Sequence, residues 1–166
     1  MYYTGAINSS IFDSAYKDVI YTREPFNCKK TIDFWKSNYG EIFRTGELAD
    51  HRSELPAWTN KIKSLFDLSF TECALYRMTP GDIIPYHKDT YKNYIKYYNI
   101  DNPIQIWRVV VFLEDWSPGH IFEIEGNPIC NYKAGTFVQW NYDAEHMAGN
   151  LGFIDRYTMQ ITGCKR

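Results

Sequence analysis

The chain has 166 residues, of which 45% are hydrophobic, 17% aromatic and 23% charged, and its formal net charge is −2. That length fits one domain around one core, and the near-neutral balance argues against a broad phosphate-binding surface, so no nucleic-acid partner is expected. No apolar run approaches the ~20 residues of a membrane span, and Met1-Tyr2-Tyr3-Thr4-Gly5 lacks the basic-then-apolar pattern of a secretory signal.

Taken in chain order, residues 7–21 predict a short strand or two. Lys29–Tyr39 reads as a helix, with Ile32, Phe34, Trp35 and Tyr39 as its apolar residues and Gly40 at its end. Ser53-Glu54-Leu55-Pro56 opens a second helix, to about Phe66, on which Trp58, Ile62, Leu65 and Phe66 form one stripe. From Cys73 onward the pattern changes to short strands divided by turn residues. Strands are expected over 73–78, 83–88, 104–113, 120–125, 128–132, 136–140, 145–148 and 153–162. Such a series predicts a double-sheet jelly roll. The fold expected is therefore α+β: residues 1–72 as mixed helical and strand support, 73–163 as the jelly-roll core, and the helices packed on one sheet. Residues 90–103, rich in tyrosine, break the strand pattern and read either as a solvated loop with a helical turn or as a lid. The four cysteines, Cys28, Cys73, Cys130 and Cys164, are widely spaced with no C-x-x-C, which suits reduced thiols in a cytoplasmic protein. Cys73 and Cys130 fall within expected strands and read as buried small hydrophobes.

The chemistry concentrates in two stretches. Residues i and i+2 of a strand share a face, so His87 and Asp89 can grip one cation together. His146, from another strand, supplies a second imidazole. Three ligands on one side of an octahedron leave adjacent positions open, as in the two-histidine, one-carboxylate iron(II) sites that activate oxygen. Arg156 and Thr158 also stand at i and i+2 and can hold one carboxylate, the arginine as a charge-assisted donor. A hairpin centred on residues 149–152 would set His146 opposite Asp155 and Arg156 beside the metal strand. A short dicarboxylate spanning cation and guanidinium fits that spacing, and 2-oxoglutarate has the right shape. His51 and His120 read as non-ligands, and Trp140 as packing beside the site. Arg108 can equally serve a structural partner such as Glu114 or Asp115, and Tyr76 can be a core aromatic.

These residues carry a resemblance to the iron(II)- and 2-oxoglutarate-dependent dioxygenases, whose fold is the double-stranded β-helix. The run from Leu75 to His87, with its Pro80-Gly81 and Pro85 before the histidine, is similar to the aspartyl/asparaginyl β-hydroxylase branch. Trp107–Leu113 and the run from Gly135 through Trp140 to His146 fit that branch too, and prolyl hydroxylase-like members come second. The resemblance implies iron(II) on His87, Asp89 and His146, with O2 and 2-oxoglutarate as cosubstrates. It puts the distal carboxylate of 2-oxoglutarate on Arg156, helped by the Tyr76 hydroxyl, and the carboxylate beside the keto group on Arg108. The implied reaction is hydroxylation of an amino-acid side chain, such as a peptidyl aspartate or asparagine, with succinate and CO2 released. A prolyl residue or a small molecule is the alternative substrate, and the competing class is a non-catalytic jelly roll that binds a metal or small acid. Asp89 departs from the animal enzymes of the aspartyl/asparaginyl branch, which have Gly there. A full triad favours hydroxylation over halogenation, whose halide needs that position empty.

Overall fold

In the computed structural model, residues 1–26, 28–40 and 44–165 are described. The elements are β1 (Tyr2–Ala6), β2 (Thr22–Arg23), α1 (Lys29–Tyr39), β3 (Glu47–Ala49), α2 (Trp58–Lys63), β4 (Ser69–Met78), β5 (Ile83–His87) and α3 (Lys92–Tyr98), followed by β6 (Ile106–Phe112), β7 (His120–Ile124), β8 (Asn127–Pro128), β9 (Thr136–Asn141), β10 (His146–Asn150) and β11 (Arg156–Cys164). They form a seven-stranded sheet, β1-β9-β6-β11-β4-β3-β2, and a four-stranded sheet, β5-β10-β7-β8, with every described strand pair antiparallel. The architecture is the double-stranded β-helix, as two sheets rather than a closed barrel.

Period-two alternation decides which way each large-sheet residue points. On β11, Tyr157, Met159 and Ile161 face outward, where they join Val109 and Val111 of β6 and Leu75 of β4 under Trp58 and Ile62 of α2. Their sequence neighbours Arg156, Thr158 and Gln160 face the opposite way, toward the small sheet, with Arg108 and Val110 of β6 and Tyr76 of β4. A second core fills the space between the sheets: Val110, Phe112, Val138 and Trp140 from the large sheet against Phe122 and Ile124 from the small one. Helix α1 does not join α2 on the outer face. Its Trp35, fully buried, packs with Tyr76 and Met78 of the large sheet and Ile84 of the small one.

Several expected elements move. Residues 7–21 hold two 3-10 turns, Ser9–Ile11 and Ser14–Lys17, because Asn8 and Asp13 accept hydrogen bonds from Ser10 and Ala15 N–H and draw the backbone out of strand geometry. The second helix is shorter than its stripe: it ends at Lys63, and Leu65 is left exposed. The strand expected over 128–132 reduces to Asn127–Pro128, which leaves Cys130 exposed and outside any strand, while Cys73 is half-buried in β4. Residues 90–103 contain α3 and a 3-10 turn over Pro103–Gln105. Tyr91 and Tyr94, one turn apart, bury against Ile106 and Cys164, so one face of this segment is packed, while Lys92, Asn93, Lys96 and Tyr97 stay exposed to solvent.

The largest correction concerns residues 149–152. They do not close a hairpin between neighbours. Strand β10 pairs with β5 and β7, β11 pairs with β4 and β6, and the chain between them crosses from one sheet to the other. Asn150, fully buried, holds the crossing: its amide donates to Met78 O (2.7 Å) and Ile154 O (2.8 Å), and its oxygen accepts from Gly152 N–H (3.0 Å). Gly119 packs its backbone directly on Gly152 at φ +91°, an approach and a conformation that suit glycine.

Candidate metal centre and anion pocket

His87 ends β5 and lies directly across from His146 at the start of β10 in the small-sheet ladder. Their rings come within 4.4 Å of one another, centroid to centroid. Asp89 lies just past the end of β5, not within it, and still turns its carboxylate toward both imidazoles. His87 Nε2 is 3.6 Å from Asp89 Oδ1, and His146 Nε2 is 3.9 Å from Asp89 Oδ2. One ligand atom from each of the three lies within 4.8 Å of the others, so a single cation can reach all three.

The remaining polar atoms of the triad are already engaged. His87 Nδ1 lies 2.8 Å from Pro85 O, and His146 Nδ1 lies 3.1 Å from Ala144 O. A carbonyl can only accept, so each Nδ1 carries the proton and each Nε2 presents a lone pair, the tautomer that ligation needs. Burial depresses the His146 pKa to about 4, which keeps this ring neutral. Burial alone would raise the Asp89 pKa, but the Arg108 guanidinium beside it holds it well below the usual carboxylate range. Arg108 grips Asp89 Oδ2 through Nε (3.2 Å) and Nη2 (3.0 Å). Its Nη1 donates to Gln160 Oε1 at 3.4 Å, so its structural partners are Asp89 and Gln160 rather than Glu114 or Asp115. Aromatic rings fix the imidazoles in place: Trp140 lies 4.8 Å from His146, and Trp35 and Phe26 meet His87 edge-on at 5.7 and 5.8 Å.

Across the cavity, on the large sheet, stand Arg156 and Thr158, both buried and both lining the same space as the triad. Arg156 has no carboxylate partner among the described residues. Its Nη1 donates to Met78 Sδ at 3.4 Å, while Nε and Nη2 are buried with no hydrogen-bond partner among the described residues. Phe112 and Phe122 offer ring faces at 5.5 and 5.8 Å. The Tyr132 hydroxyl, also buried and unpartnered, lies close enough that the Arg156 charge opposes the rise burial imposes on its pKa. A desolvated guanidinium with free donors costs several kcal/mol unless an anion meets it.

Tyr76 is present in the cavity wall, but its hydroxyl is committed elsewhere. It donates to Glu24 Oε2 at 2.6 Å and accepts from Gly46 N–H at 3.0 Å. Gly46 is needed for that contact, because a Cβ there would run into the Tyr76 ring. Glu24 and Phe26 line the site but belong to no recognisable spacing, and Trp35, legible as an apolar helix residue, could not be placed at the site from sequence. His120 bonds Ile154 O at 3.2 Å, outside the triad, and His51 is exposed beside Asp50.

No protein-family model matches the chain, and no curated protein matches it in sequence. Among solved structures, it superposes on a prolyl-4-hydroxylase from Pseudomonas putida with a TM-score of 0.64 at 14% identity, covering 99% of this chain and 92% of that one. A cupin domain of an XRE family transcriptional regulator from Enterobacter cloacae gives a TM-score of 0.46 at 12% identity, over 74% of this chain and 100% of that one. The first likeness is one of fold alone. No helix is long and apolar enough to cross a membrane among the described residues.

Proposed function

We propose that the chain is an iron(II)- and 2-oxoglutarate-dependent oxygenase that hydroxylates an amino-acid side chain. The observation that carries this reading is the pairing, in one cavity, of a two-histidine, one-aspartate cluster with a buried guanidinium that lacks an anion. Two imidazoles and one carboxylate suit iron(II). His87, Asp89 and His146 would hold it, and it would supply the activation of O2. In the overall reaction one oxygen atom of O2 enters a substrate C–H bond, and the other enters the carboxylate formed as 2-oxoglutarate becomes succinate and CO2.

The chain's own residues do the positioning. Pro85 O and Ala144 O hold the imidazole protons away from the metal side. Arg108 holds Asp89 Oδ2 and so fixes the carboxylate that would help hold the metal. Arg156, with Thr158 beside it and the Tyr132 hydroxyl nearby, neutralises the distal carboxylate of 2-oxoglutarate. The apolar walls Val110, Phe122 and Trp140 keep water from the reacting atoms.

The test is direct. Anaerobic iron loading followed by 2-oxoglutarate should quench tryptophan fluorescence, given Trp35 and Trp140 against the two imidazoles, and admission of air should yield succinate. Zinc retained without any affinity for 2-oxoglutarate would instead mark a non-catalytic metal-binding jelly roll.

A further inference from the structure

A second cleft opens onto the triad from outside. It shares Glu24, Phe26, Asp89 and Arg108 with the inner cavity and extends between Cys28 and the segment carrying Tyr91 and Tyr94, with a volume of about 410 Å³. Its charges sort by whether they are paired. Arg108 is bound to Asp89 at 3.0 Å, and the Lys88 ammonium sits 3.1 Å from Asp143. Lys92 and Glu72 are exposed at the rim. Glu24, half-buried and deeper in, has no cation within ion-pair distance among the described residues.

Glu24 is also held in place. Its N–H donates to Gly46 O at 3.0 Å, and the preceding Arg23 is tied to Asp82 and to Glu47, each at 3.0 Å. The Tyr76 hydroxyl fixes Oε2 and leaves Oε1 with no partner among the described residues. An independent feature points the same way. Tyr91 lines the cleft beside Asp89 and Arg108, its ring 5.2 Å from the Arg108 guanidinium. It is more than nine-tenths buried, and its hydroxyl has no hydrogen-bond partner among the described residues. A fixed carboxylate oxygen and an unused phenol oxygen both accept hydrogen bonds. A ligand rich in N–H donors and carrying positive charge satisfies them together, and the faces of Phe26 and Tyr94 suit a cation as well. A prolyl ring offers no such donor, and an aspartate would meet like charge.

We propose that this cleft receives the side chain of a basic amino acid, free or in a peptide, with Glu24 as its counter-ion and the Tyr91 hydroxyl as a second acceptor. The proposal rests on the hydroxylase reading for its chemistry, but its recognition step is measurable without turnover. The full chain, loaded with manganese(II) and 2-oxoglutarate under anaerobic conditions, is titrated calorimetrically with L-lysine and L-arginine, and with their neutral counterparts norleucine and citrulline. Short peptides carrying Lys, Arg, Pro or Asn form the second arm. Lysine or arginine, free or in a peptide, should bind at least tenfold more tightly than its neutral counterpart, and the stronger of the two identifies the head group. Glu24→Gln should abolish that discrimination and Tyr91→Phe should weaken it several-fold. With iron and air, Glu24→Gln should raise KM for the basic substrate more than it lowers kcat. Equal binding of the neutral counterparts to the unaltered protein, or a preference for Pro or Asn peptides, overturns the proposal and needs no variant. A chain that takes up no 2-oxoglutarate overturns the hydroxylase reading instead, and the amine titration of the metal-loaded protein still decides the cleft.

Discussion

At the small-sheet end of the inner cavity, the imidazole N–H groups have carbonyl partners and Asp89 has Arg108. At the large-sheet end, two buried nitrogens of Arg156 and the buried hydroxyl of Tyr132 have no partner among the described residues. The contrast separates two ways of building a site. The triad end is preorganised by the protein itself, so its geometry needs no ligand to hold it. The Arg156 end carries a desolvation cost that an anion removes, so its energetics depend on what binds. In the proposed enzyme the first end takes the metal and the second takes the cosubstrate.

The strongest way to break this comparison is to remove a triad member. His87→Ala, Asp89→Ala and His146→Ala should each weaken iron binding by more than about 100-fold, beyond the loss typical of a supporting residue. Equilibrium dialysis against iron(II) measures it, and retention of near-native affinity in any of the three would remove that residue from the ligand set. Next in size is Arg156→Met, which should have opposite effects in the two states. Without cosubstrate the variant should be more stable, on the order of 1–4 kcal/mol in urea unfolding, because a buried unpaired charge is gone. Its affinity for 2-oxoglutarate should fall by about 100-fold or more while metal affinity holds. If the ligand-free variant is instead less stable, Arg156 has a partner that this reading misses.

The two ends also differ in how far they could be read from residues alone. His87-x-Asp89 is a local pattern, and spacing of two on one strand face survives even though Asp89 lies just beyond β5. The helix over Lys29–Tyr39 and most strands from Cys73 onward follow from periodicity, which is equally local. Arg156 and Thr158 are legible as a pair, but their position is not. A Gly-Asn-Leu-Gly stretch looks the same whether it closes a hairpin or carries the chain between sheets, and long-range pairing decides which. Arg108 could not be assigned for a related reason: its partner lies nineteen residues away on a segment outside its own sheet. Glu24 and Phe26 reach the site from a region of short, weakly periodic elements, where no repeat announces a face, and Trp35 from a helix whose docking place periodicity does not give.

Asn150 ties the two ends together, so a third prediction tests whether they depend on one crossing. The side chain is fully buried and bridges Met78 O, Ile154 O and Gly152 N–H. Asn150→Leu would strand those groups without water, at a cost of about 2–4 kcal/mol. The damage should concentrate on the Arg156 side, since the crossing leads directly into β11, whereas His146 stays paired across β5 and β7. Hydrogen exchange should therefore rise in 151–158 before it rises in 83–87. Uniform loss of protection would mean that the sandwich opens as one unit.

The smallest effect comes from Tyr132. Its ring stacks on Phe112 at 3.8 Å, and that packing survives in Tyr132→Phe. Deleting a hydroxyl that has no partner should leave ligand-free stability nearly unchanged, because no hydrogen bond is lost. If the hydroxyl shares the cosubstrate carboxylate with Arg156, affinity for 2-oxoglutarate falls by about tenfold, the size of one hydrogen bond to a charged group. The fall should appear in calorimetric affinity and leave iron binding untouched. Unchanged affinity would assign the carboxylate to Arg156 and Thr158 alone. Because the substitution separates the ligand-bound from the ligand-free state without disturbing the core, it isolates the energetic asymmetry between the two ends of the cavity.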